Sequence, residues 1–186
     1  MAVLDLIDAH ASTLVLVDPQ TRLMPAIHGG AAVLAHAVAL AQGARLLGVP
    51  VIGTQQNPAR LGPNAHEVAA LCDVTLDKVH FDACADGLLG ALQSARPGGG
   101  QVVIAGCEAH VCLLQTTLGL LRAGQRVWVV ANACGSRRSS DHAAAMARLA
   151  DAGATVVTHE MVLFEWLRDC RHERFREVLA LVKSVA

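Results

Sequence analysis

Short apolar runs alternate with longer helical patterns along the whole chain. None of the short runs shows the strict alternation of apolar and polar residues that is typical of a half-exposed strand, so they indicate strands buried on both faces. The predicted strands are residues 13–17, 51–54, 73–76, 102–105, 126–131 and 154–158. The predicted helices are residues 1–12, 28–48, 64 or 66 to 72, 84–95, 139–152, 160–167 and 171–183, and one that begins at Ala109 and ends before Gly124.

This alternation predicts one α/β domain that covers residues 1–186. The expected architecture has three layers, with helices on both faces of a doubly wound, mostly parallel, six-stranded, Rossmann-like sheet. Right-handed crossovers bring the carboxyl ends of all parallel strands to one edge of such a sheet. Ligands bind at that edge in folds of this kind, so residues that directly follow strands are the first candidates for a site.

Residues 101–124 are the stretch around which this pattern is organised. The apolar run 102–105 is interrupted by Gly106, and from Ala109 the apolar residues follow a helical period. Cys112 lies near the start of that helix, where free backbone N–H groups and the helix dipole favour an anion. We therefore expect the pKa of the Cys112 thiol to be depressed. The alternative is that Cys112 is a small buried core residue.

Two further residues of complementary chemistry follow predicted strands. Asp18 ends the first strand and Lys78 follows the third, so both should reach the same edge as Cys112. A nucleophilic thiol needs a base and a nearby cation, and these residues can supply them. Alternatively, Asp18 caps a turn before a proline and Lys78 forms an exposed pair with Asp77. His110 is disfavoured as the base, because residues two apart on a helix point in different directions.

Three motifs in this order make the chain similar to the isochorismatase-like cysteine hydrolases, a family that includes nicotinamidases and carbamoyl-amide hydrolases. They are residues 16–20 (LVDPQ), Asp77-Lys78 with Phe81 following, and residues 106–112 (GCEAHVC). The resemblance runs from about residue 12 to the carboxyl terminus. It implies that Asp18, Lys78 and Cys112 are the catalytic triad.

The same resemblance implies further features of the site. A cis peptide bond is expected at Cys107–Glu108, and the backbone N–H groups of Glu108 and Cys112 are expected to bind the oxyanion. We also expect Gln20, Phe81 and His110 to contact the substrate.

Within the family the chain looks most like the isochorismatase domain-containing proteins. The matching segments are residues 54–58, 61–63, 132–137 and 164–175. Nicotinamidases carry a metal-binding Asp-x-His…His set after the second strand, whereas this chain has Gln55, Gln56 and Asn57 there, with His66 nearby. We therefore predict no metal, no other cofactor and no nicotinamidase activity. Asn132 and Ala109 also depart from the residues usual in the family, in ways that could alter the pocket.

Composition and charge narrow the possible partners. Apolar residues make up 53% of the chain, charged residues 17%, and the net charge is −1. No basic tract favours nucleic acid, and no apolar run approaches the ~18 residues that span a bilayer. The high apolar content predicts a homo-oligomer, a dimer or larger.

Cysteine usage and the amino terminus indicate a compartment. The six cysteines contain no Cys-x-x-Cys spacing and no zinc-ligand pattern, so we expect mostly buried, reduced thiols. They are Cys72, Cys84, Cys107, Cys112, Cys134 and Cys170. The first ten residues carry acidic residues where a secretory signal needs basic ones, so a cytoplasmic location is predicted.

The leading hypothesis is a hydrolase that cleaves a small amide-like C–N bond, or a related substrate, through a thioester on Cys112. A non-catalytic ligand-binding or assembly protein with a retained triad is the first alternative. The second is a thiol redox sensor that uses Cys112, with Cys107 or Cys134 as the resolving thiol.

Overall fold

The computed structural model describes residues 5–185 and contains one sheet of six parallel strands. The strands are β1 (Ser12–Val17), β2 (Val51–Gln56), β3 (Val74–Lys78), β4 (Gln101–Cys107), β5 (Arg126–Gly135) and β6 (Thr155–Val157). Their order across the sheet is β3-β2-β1-β4-β5-β6, and every neighbouring pair is parallel. The structure therefore confirms the predicted six-stranded, doubly wound α/β fold.

Helices cover both faces of the sheet. They are α1 (Gly30–Leu46), α2 (Pro58–Leu61), α3 (His66–Ala69), α4 (Leu88–Ala95), α5 (Leu114–Arg122), α6 (Ser139–Asp151), α7 (His159–Leu167) and α8 (Phe175–Ser184). The chain runs in opposite directions across the sheet from β1 to β2 and from β4 to β5, so right-handed crossovers place α1 and α5 on opposite faces. Helix α1 packs against α7 and α8, and α5 packs against α6. No helix within residues 5–185 is long and apolar enough to cross a lipid bilayer.

The two central strands, β1 and β4, are buried along their whole length. Their continuous apolar runs are what a strand covered on both faces requires. The strand order reverses between them, which opens a crevice beyond their carboxyl ends. Asp18 directly follows β1, and β4 ends at Cys107, so the candidate residues lie at that crevice.

Several helix boundaries differ from the predictions because single residues interrupt the helical backbone. Gly29 has a φ of 64°, and α1 begins after it rather than at residue 28. Gly87 has a φ of 101° and divides the predicted helix 84–95 into a 3₁₀ turn (Ala83–Asp86) and α4. Arg168 has a φ of 67°, and the Asp169 side chain accepts a hydrogen bond from the Arg171 N–H, so α8 begins only at Phe175.

Three further differences concern the start of the chain and two strand ends. The predicted helix 1–12 is wrong over residues 5–11, which form a turn into β1 held by the Ile7 N–H donating to Glu165. Residues 1–4 lie outside the described chain. Strand β5 continues past residue 131, because a register shift lets Cys107 pair with Gly135. The unpredicted helix α2 follows β2 directly and starts at Pro58, a residue suited to a first helical turn.

Gly106 permits the close approach of β1 and β4 at the crevice. Its φ is 126°, a conformation that side chains rarely adopt, and an added Cβ would lie 2.0 Å from the Val17 carbonyl oxygen. Backbone cannot yield as a flexible side chain does, so only glycine fits here. The packing that brings the ends of these two strands together thus depends on one missing side chain.

We predict that Gly106→Ala lowers the free energy of unfolding by about 2–5 kcal/mol or prevents folding, through steric overlap and an unfavourable φ. Gly90→Ala is the matched control. Gly90 lies in α4 with no atom within 4 Å of an added Cβ, so alanine there should stabilise the protein by about 0.5–1 kcal/mol. Urea denaturation compares the two variants, and equal stability of Gly106→Ala and the unmodified protein would contradict the assignment.

Candidate active site

The ends of β1 and β3 bring Asp18 and Lys78 into direct contact. The Lys78 Nζ lies 2.8 Å from Asp18 Oδ2, and both side chains are completely buried. The alternative in which Lys78 forms an exposed surface pair is therefore wrong. Cys112 follows β4 and is 6% exposed, and its pKa responds to both the Asp18 carboxylate and the Lys78 ammonium. All three predicted residues thus meet at the crevice.

Lys78 Nζ has three oxygen neighbours, one in an ion pair and two in hydrogen bonds. Besides Asp18, its Nζ donates to Gln56 Oε1 at 2.6 Å and to the His80 carbonyl oxygen at 3.3 Å. A buried ammonium is costly unless it is paired and fully hydrogen-bonded. The ion pair with Asp18 and the hydrogen bonds to Gln56 and His80 therefore hold the Lys78 side chain in place.

Asp18 is fixed from a second side by β2. Thr54 Oγ1 donates a hydrogen bond of 2.7 Å to Asp18 Oδ1, while Oδ2 faces Lys78. The backbone of Asp18 has a φ of 50°, in the left-handed region that aspartate tolerates better than most residues. Its orientation is therefore set by the turn out of β1 as well as by its partners.

Cys112 lies in a π-helical turn (Ala109–Leu113) that leads into α5. The prediction of a depressed thiol pKa is wrong. Burial first, and then the Asp18 carboxylate, raise the pKa of Cys112, Lys78 offsets part of this increase, and the resulting pKa is about 12. Removing the thiol from water outweighs the favourable position near a helix start. At neutral pH the site therefore holds a protonated thiol beside an Asp–Lys ion pair, and attack by sulfur requires a base.

Gln56 is a member of the site that the sequence analysis did not identify. Its Oε1 accepts from Lys78 and lies 3.9 Å from the Cys112 sulfur. Its Nε2 donates to the Val79 carbonyl oxygen, which fixes the direction of the amide. Gln56 is a buried polar residue at the carboxyl end of β2, where it pairs with Lys78 of β3. Its place just after a predicted strand was the signal that could have identified it.

The structure gives Gln20 a supporting role instead of the predicted substrate contact. Its Nε2 donates to the carbonyl oxygens of Gln56 and Gly62, at 2.9 and 2.6 Å. Its Oε1 accepts from the Gln56 N–H at 2.9 Å. The buried amide is therefore occupied in holding the Gln56 backbone, and no geometry supports its binding to a substrate.

The remaining predicted residues lie at the same edge with different surroundings. The peptide bond Cys107–Glu108 is cis, as the resemblance implies. The Glu108 carboxylate accepts from the backbone N–H and side chain of Arg137. The His110 ring pairs with Ser136 at 2.9 Å, which supports no role as base to Cys112. Phe81 is 49% exposed. The oxyanion role of Glu108 and Cys112, and substrate contacts by His110 and Phe81, stay predictions.

Within residues 5–185 no group of three or more histidine, cysteine, aspartate or glutamate side chains is arranged to hold a metal ion. At the carboxyl end of β2, Gln55 donates to Asp77 and Gln56 accepts from Lys78, so these amides are engaged with protein partners.

Comparison with known proteins decides the family. The family model for the isochorismatase domain matches residues 12–161. This chain belongs to the isochorismatase family. It is 34% identical to isochorismatase domain-containing protein 2A of Mus musculus, with 94% of this chain and 84% of that protein covered. It is 36% identical to isochorismatase domain-containing protein 1 of Danio rerio, covering 91% of this chain but 60% of that longer protein.

Solved structures extend the likeness to isochorismatase-family folds. The chain resembles the MAR1 ribonuclease from Caenorhabditis elegans with a TM-score of 0.88 and 30% identity, covering 96% of this chain and 93% of that one. It resembles YcaC from Pseudomonas aeruginosa with a TM-score of 0.89 and 25% identity, covering 100% and 98%. The expected family and its domain-containing branch are thus confirmed by sequence, and the solved structures share the fold.

We predict that Lys78→Met slows iodoacetamide alkylation of Cys112 by at least about tenfold at pH 8. Removing the cation leaves the thiolate without the Lys78 counter-charge and leaves Asp18 buried and unpaired. Lys183→Met, at the exposed end of α8, changes the chain's other lysine and should leave the rate unchanged. Mass-mapped labelling measures both rates, after circular dichroism has established that each variant is folded. Equal alkylation rates in the two variants would refute the role of Lys78 as the cation that favours the Cys112 thiolate.

Proposed function

We propose that this isochorismatase-family protein is a cysteine-dependent hydrolase that cleaves a small amide-like C–N bond through a thioester. The observation that supports this most strongly is the buried Asp18–Lys78 ion pair beside the protonated thiol of Cys112. Such an arrangement supplies a nucleophile, an adjacent base and a fixed cation in one water-poor crevice.

In the first half of the reaction Asp18 accepts the Cys112 proton as the sulfur attacks the substrate carbonyl carbon. The backbone N–H groups of Glu108 and Cys112 hold the negative oxygen, an interaction that commonly contributes about 3–4 kcal/mol. Asp18 then gives its proton to the leaving nitrogen, the C–N bond breaks, and a thioester and a free amine remain.

In the second half a water molecule attacks the thioester as Asp18 takes one of its protons. The carbon–sulfur bond breaks, the carboxylic acid leaves, and the sulfur recovers the proton from Asp18. Both halves therefore use one carboxylate alternately as base and acid. Lys78 is held by its ion pair with Asp18 and its hydrogen bonds to Gln56 and the His80 carbonyl oxygen, and it offsets the charge that develops on sulfur.

The names of relatives bear on this proposal in two ways. The structure of the Pseudomonas aeruginosa YcaC is described with covalent acrylamide, which is a small amide and an electrophile. The Caenorhabditis elegans protein is named a ribonuclease. RNA as a substrate has less support here, because the net charge is −1 and Lys78 is fully paired inside the site.

The redox alternative also has less support. Burial raises the pKa of Cys107 to about 12 and raises that of Cys134 as well. Thiol oxidation and exchange proceed through the thiolate, so neither residue suits the part of a fast resolving thiol. The other alternative is a non-catalytic protein with a retained triad, and the substrate screen distinguishes it from a hydrolase.

A homo-oligomer is part of the proposal. Val79 and Phe81, just after Lys78, are 72% and 49% exposed, and exposed large apolar side chains next to a site are typical of a surface covered in an assembly. A small-molecule substrate and a cytoplasmic location complete the proposed description.

We predict that Asp18→Asn lowers turnover by about 10²–10⁴-fold, because the base is lost, and circular dichroism first establishes that the variant is folded, since Lys78 loses its counter-charge. A screen of small amides, ureido acids and isochorismate identifies a substrate, with Cys112→Ala as the inactive reference, and activity should survive EDTA dialysis. Since the triad acts as a unit, Asp18→Asn combined with Cys112→Ala should be little worse than Cys112→Ala alone.

Asp77→Asn is the matched control for this experiment. Asp77 directly precedes Lys78, but it is exposed, and its carboxylate accepts a hydrogen bond from Gln55. Its turnover should equal that of the unmodified protein. Full activity in Asp18→Asn would refute the assigned base, and full activity in Cys112→Ala would refute the thioester.

A further inference from the structure

Two buried glutamines link the turn after β1 to the cation of the candidate active site. Gln20, in that turn, bonds the backbone of Gln56 at the end of β2, and the Gln56 side chain accepts from Lys78 at the end of β3. Lys78 in turn contacts Asp18, two residues before Gln20. The four residues therefore form a closed chain of contacts that begins and ends in the same turn.

The Gln20 side chain pairs with Gln56 where β1 no longer does. Strand β1 ends with Val17 in register with Thr54, so β2 continues for two residues without it. The Gln20 amide accepts from the Gln56 N–H and donates to the Gln56 carbonyl oxygen, both at 2.9 Å. On its other side Gln56 pairs with Lys78 in the parallel register of β2 and β3. The backbone of Gln56 is therefore held from both sides.

The hydrogen bonds of the Gln56 amide fix its orientation. Its Nε2 donates to the Val79 carbonyl oxygen at 2.8 Å, and its Oε1 accepts from Lys78 Nζ at 2.6 Å. The reversed amide would set two donors against each other at Lys78 and two acceptors against each other at Val79. The amide oxygen therefore faces the ammonium, and the same oxygen lies 3.9 Å from the Cys112 sulfur.

The bond to Gln56 is the shortest directional contact of the Lys78 ammonium. The contact with Asp18 is an ion pair, and Asp18 Oδ2 is buried with no hydrogen-bond partner in residues 5–185. The energy of an ion pair depends mainly on distance, whereas that of a hydrogen bond also depends on angle. The other hydrogen bond, to the His80 carbonyl oxygen, is 3.3 Å long against 2.6 Å for Gln56. Gln56 therefore does most to set the direction of the ammonium.

The position of this ammonium matters because it opposes the effect of burial on the thiol. Burial first, and then the Asp18 carboxylate, raise the pKa of Cys112, and the charge and a hydrogen bond of Lys78 lower it. The attraction between opposite charges weakens as their distance grows, so a displaced ammonium would stabilise the forming thiolate less. A carboxylate at residue 56 would also accept from Lys78, but it would place a negative charge beside the sulfur. A neutral amide holds the cation without that charge.

We propose that Gln56 is a positioning residue that aims the Lys78 ammonium at the Cys112 sulfur, with Gln20 holding Gln56 in place. Gln56 acts through Lys78 and exchanges no proton itself. The inference rests on the proposed function, in which Cys112 is the nucleophile and Lys78 is its cation. It adds that the reactivity of the thiol depends on a neutral amide of β2 as well as on the triad.

Alkylation of Cys112 by iodoacetamide tests this role without a substrate. Rates are measured by mass-mapped labelling from pH 7 to pH 10, after circular dichroism has established that each variant is folded. Gln56→Met removes the acceptor but keeps the length of the side chain, so alkylation should slow at least about fivefold across this range. A purely structural role predicts the opposite sign, because loosened packing would expose the sulfur and speed alkylation. Unchanged or faster alkylation in Gln56→Met would therefore overturn the proposal.

Gln56→Glu and Gln115→Glu form a matched pair for the same measurement. Each introduces one carboxylate, but residue 56 is buried against Lys78, whereas Gln115 is exposed on α5, three residues after Cys112. Gln56→Glu should slow alkylation at least about tenfold, because a like charge beside the sulfur disfavours the thiolate. Gln115→Glu should change the rate by less than about twofold, since solvent screens its charge. Equal rates in the two glutamate variants would refute the contact of residue 56 with the sulfur.

Combination with Lys78→Met distinguishes positioning of the ammonium from a direct effect of Gln56 on the sulfur. If Gln56 acts through the ammonium, adding Gln56→Met to Lys78→Met should change the alkylation rate by less than about twofold. A further fivefold decrease in the double variant would overturn the proposal. Slow alkylation in Lys78→Met with normal alkylation in Gln56→Met would refute the role of Gln56 and leave the proposed function intact. Normal alkylation in Lys78→Met itself would contradict the cation role, and the proposal with it.

Discussion

The buried ion pair between Asp18 and Lys78 is the interaction on which the rest of the site depends. Two charges withdrawn from water cost several kcal/mol each, and only close geometry and additional hydrogen bonds compensate for that. The structure supplies both, through a 2.8 Å contact and through Thr54 and Gln56 on the intervening strand β2. The order β3-β2-β1 is what allows residues from three strands to meet there. Removing one partner would leave an uncompensated charge in the interior.

The same pair explains how a thiol with a raised pKa is compatible with catalysis. Burial keeps Cys112 protonated at rest, so the site does not rely on a standing thiolate. The proposed chemistry instead couples deprotonation to attack, with the proton passing to a carboxylate beside the sulfur. A protonated thiol is also less open to oxidation, which suits a chain whose six cysteines are all free thiols.

The fold and the triad followed from patterns that are local in the sequence. Continuous apolar runs identified the central strands, whereas β3, with the mixed sequence VTLDK, was a weaker signal, and the rule that parallel strands end at one edge grouped Asp18, Lys78 and Cys112. The pKa of Cys112 could not be predicted in this way, because burial and the distance to Asp18 are tertiary quantities. Gln20 illustrates the same limit. Its motif indicated a site residue, but only the structure places its amide on the Gln56 backbone.

The predicted helix boundaries were wrong where a single residue with a positive φ changed the backbone direction, as at Gly29, Gly87 and Arg168. Arg168 adopts a positive φ that its residue type disfavours, so composition offers no warning of it. The ring contact between His36 and His159 was equally hidden. His36 and His159 are 123 positions apart, and their contact depends on how α1 packs against the start of α7.

The pH at which Cys112 ionises tests most directly whether its sulfur needs a base. Thiolate absorbance at 240 nm is recorded from pH 5 to pH 10 for the unmodified protein and for Cys112→Ser. The difference between the two curves isolates Cys112 from the other five cysteines. We predict no ionisation step below pH 9, because burial and the adjacent carboxylate keep the thiol protonated despite Lys78. A step with a midpoint below pH 8 would contradict the account, since Cys112 would then be a standing thiolate that needs no base.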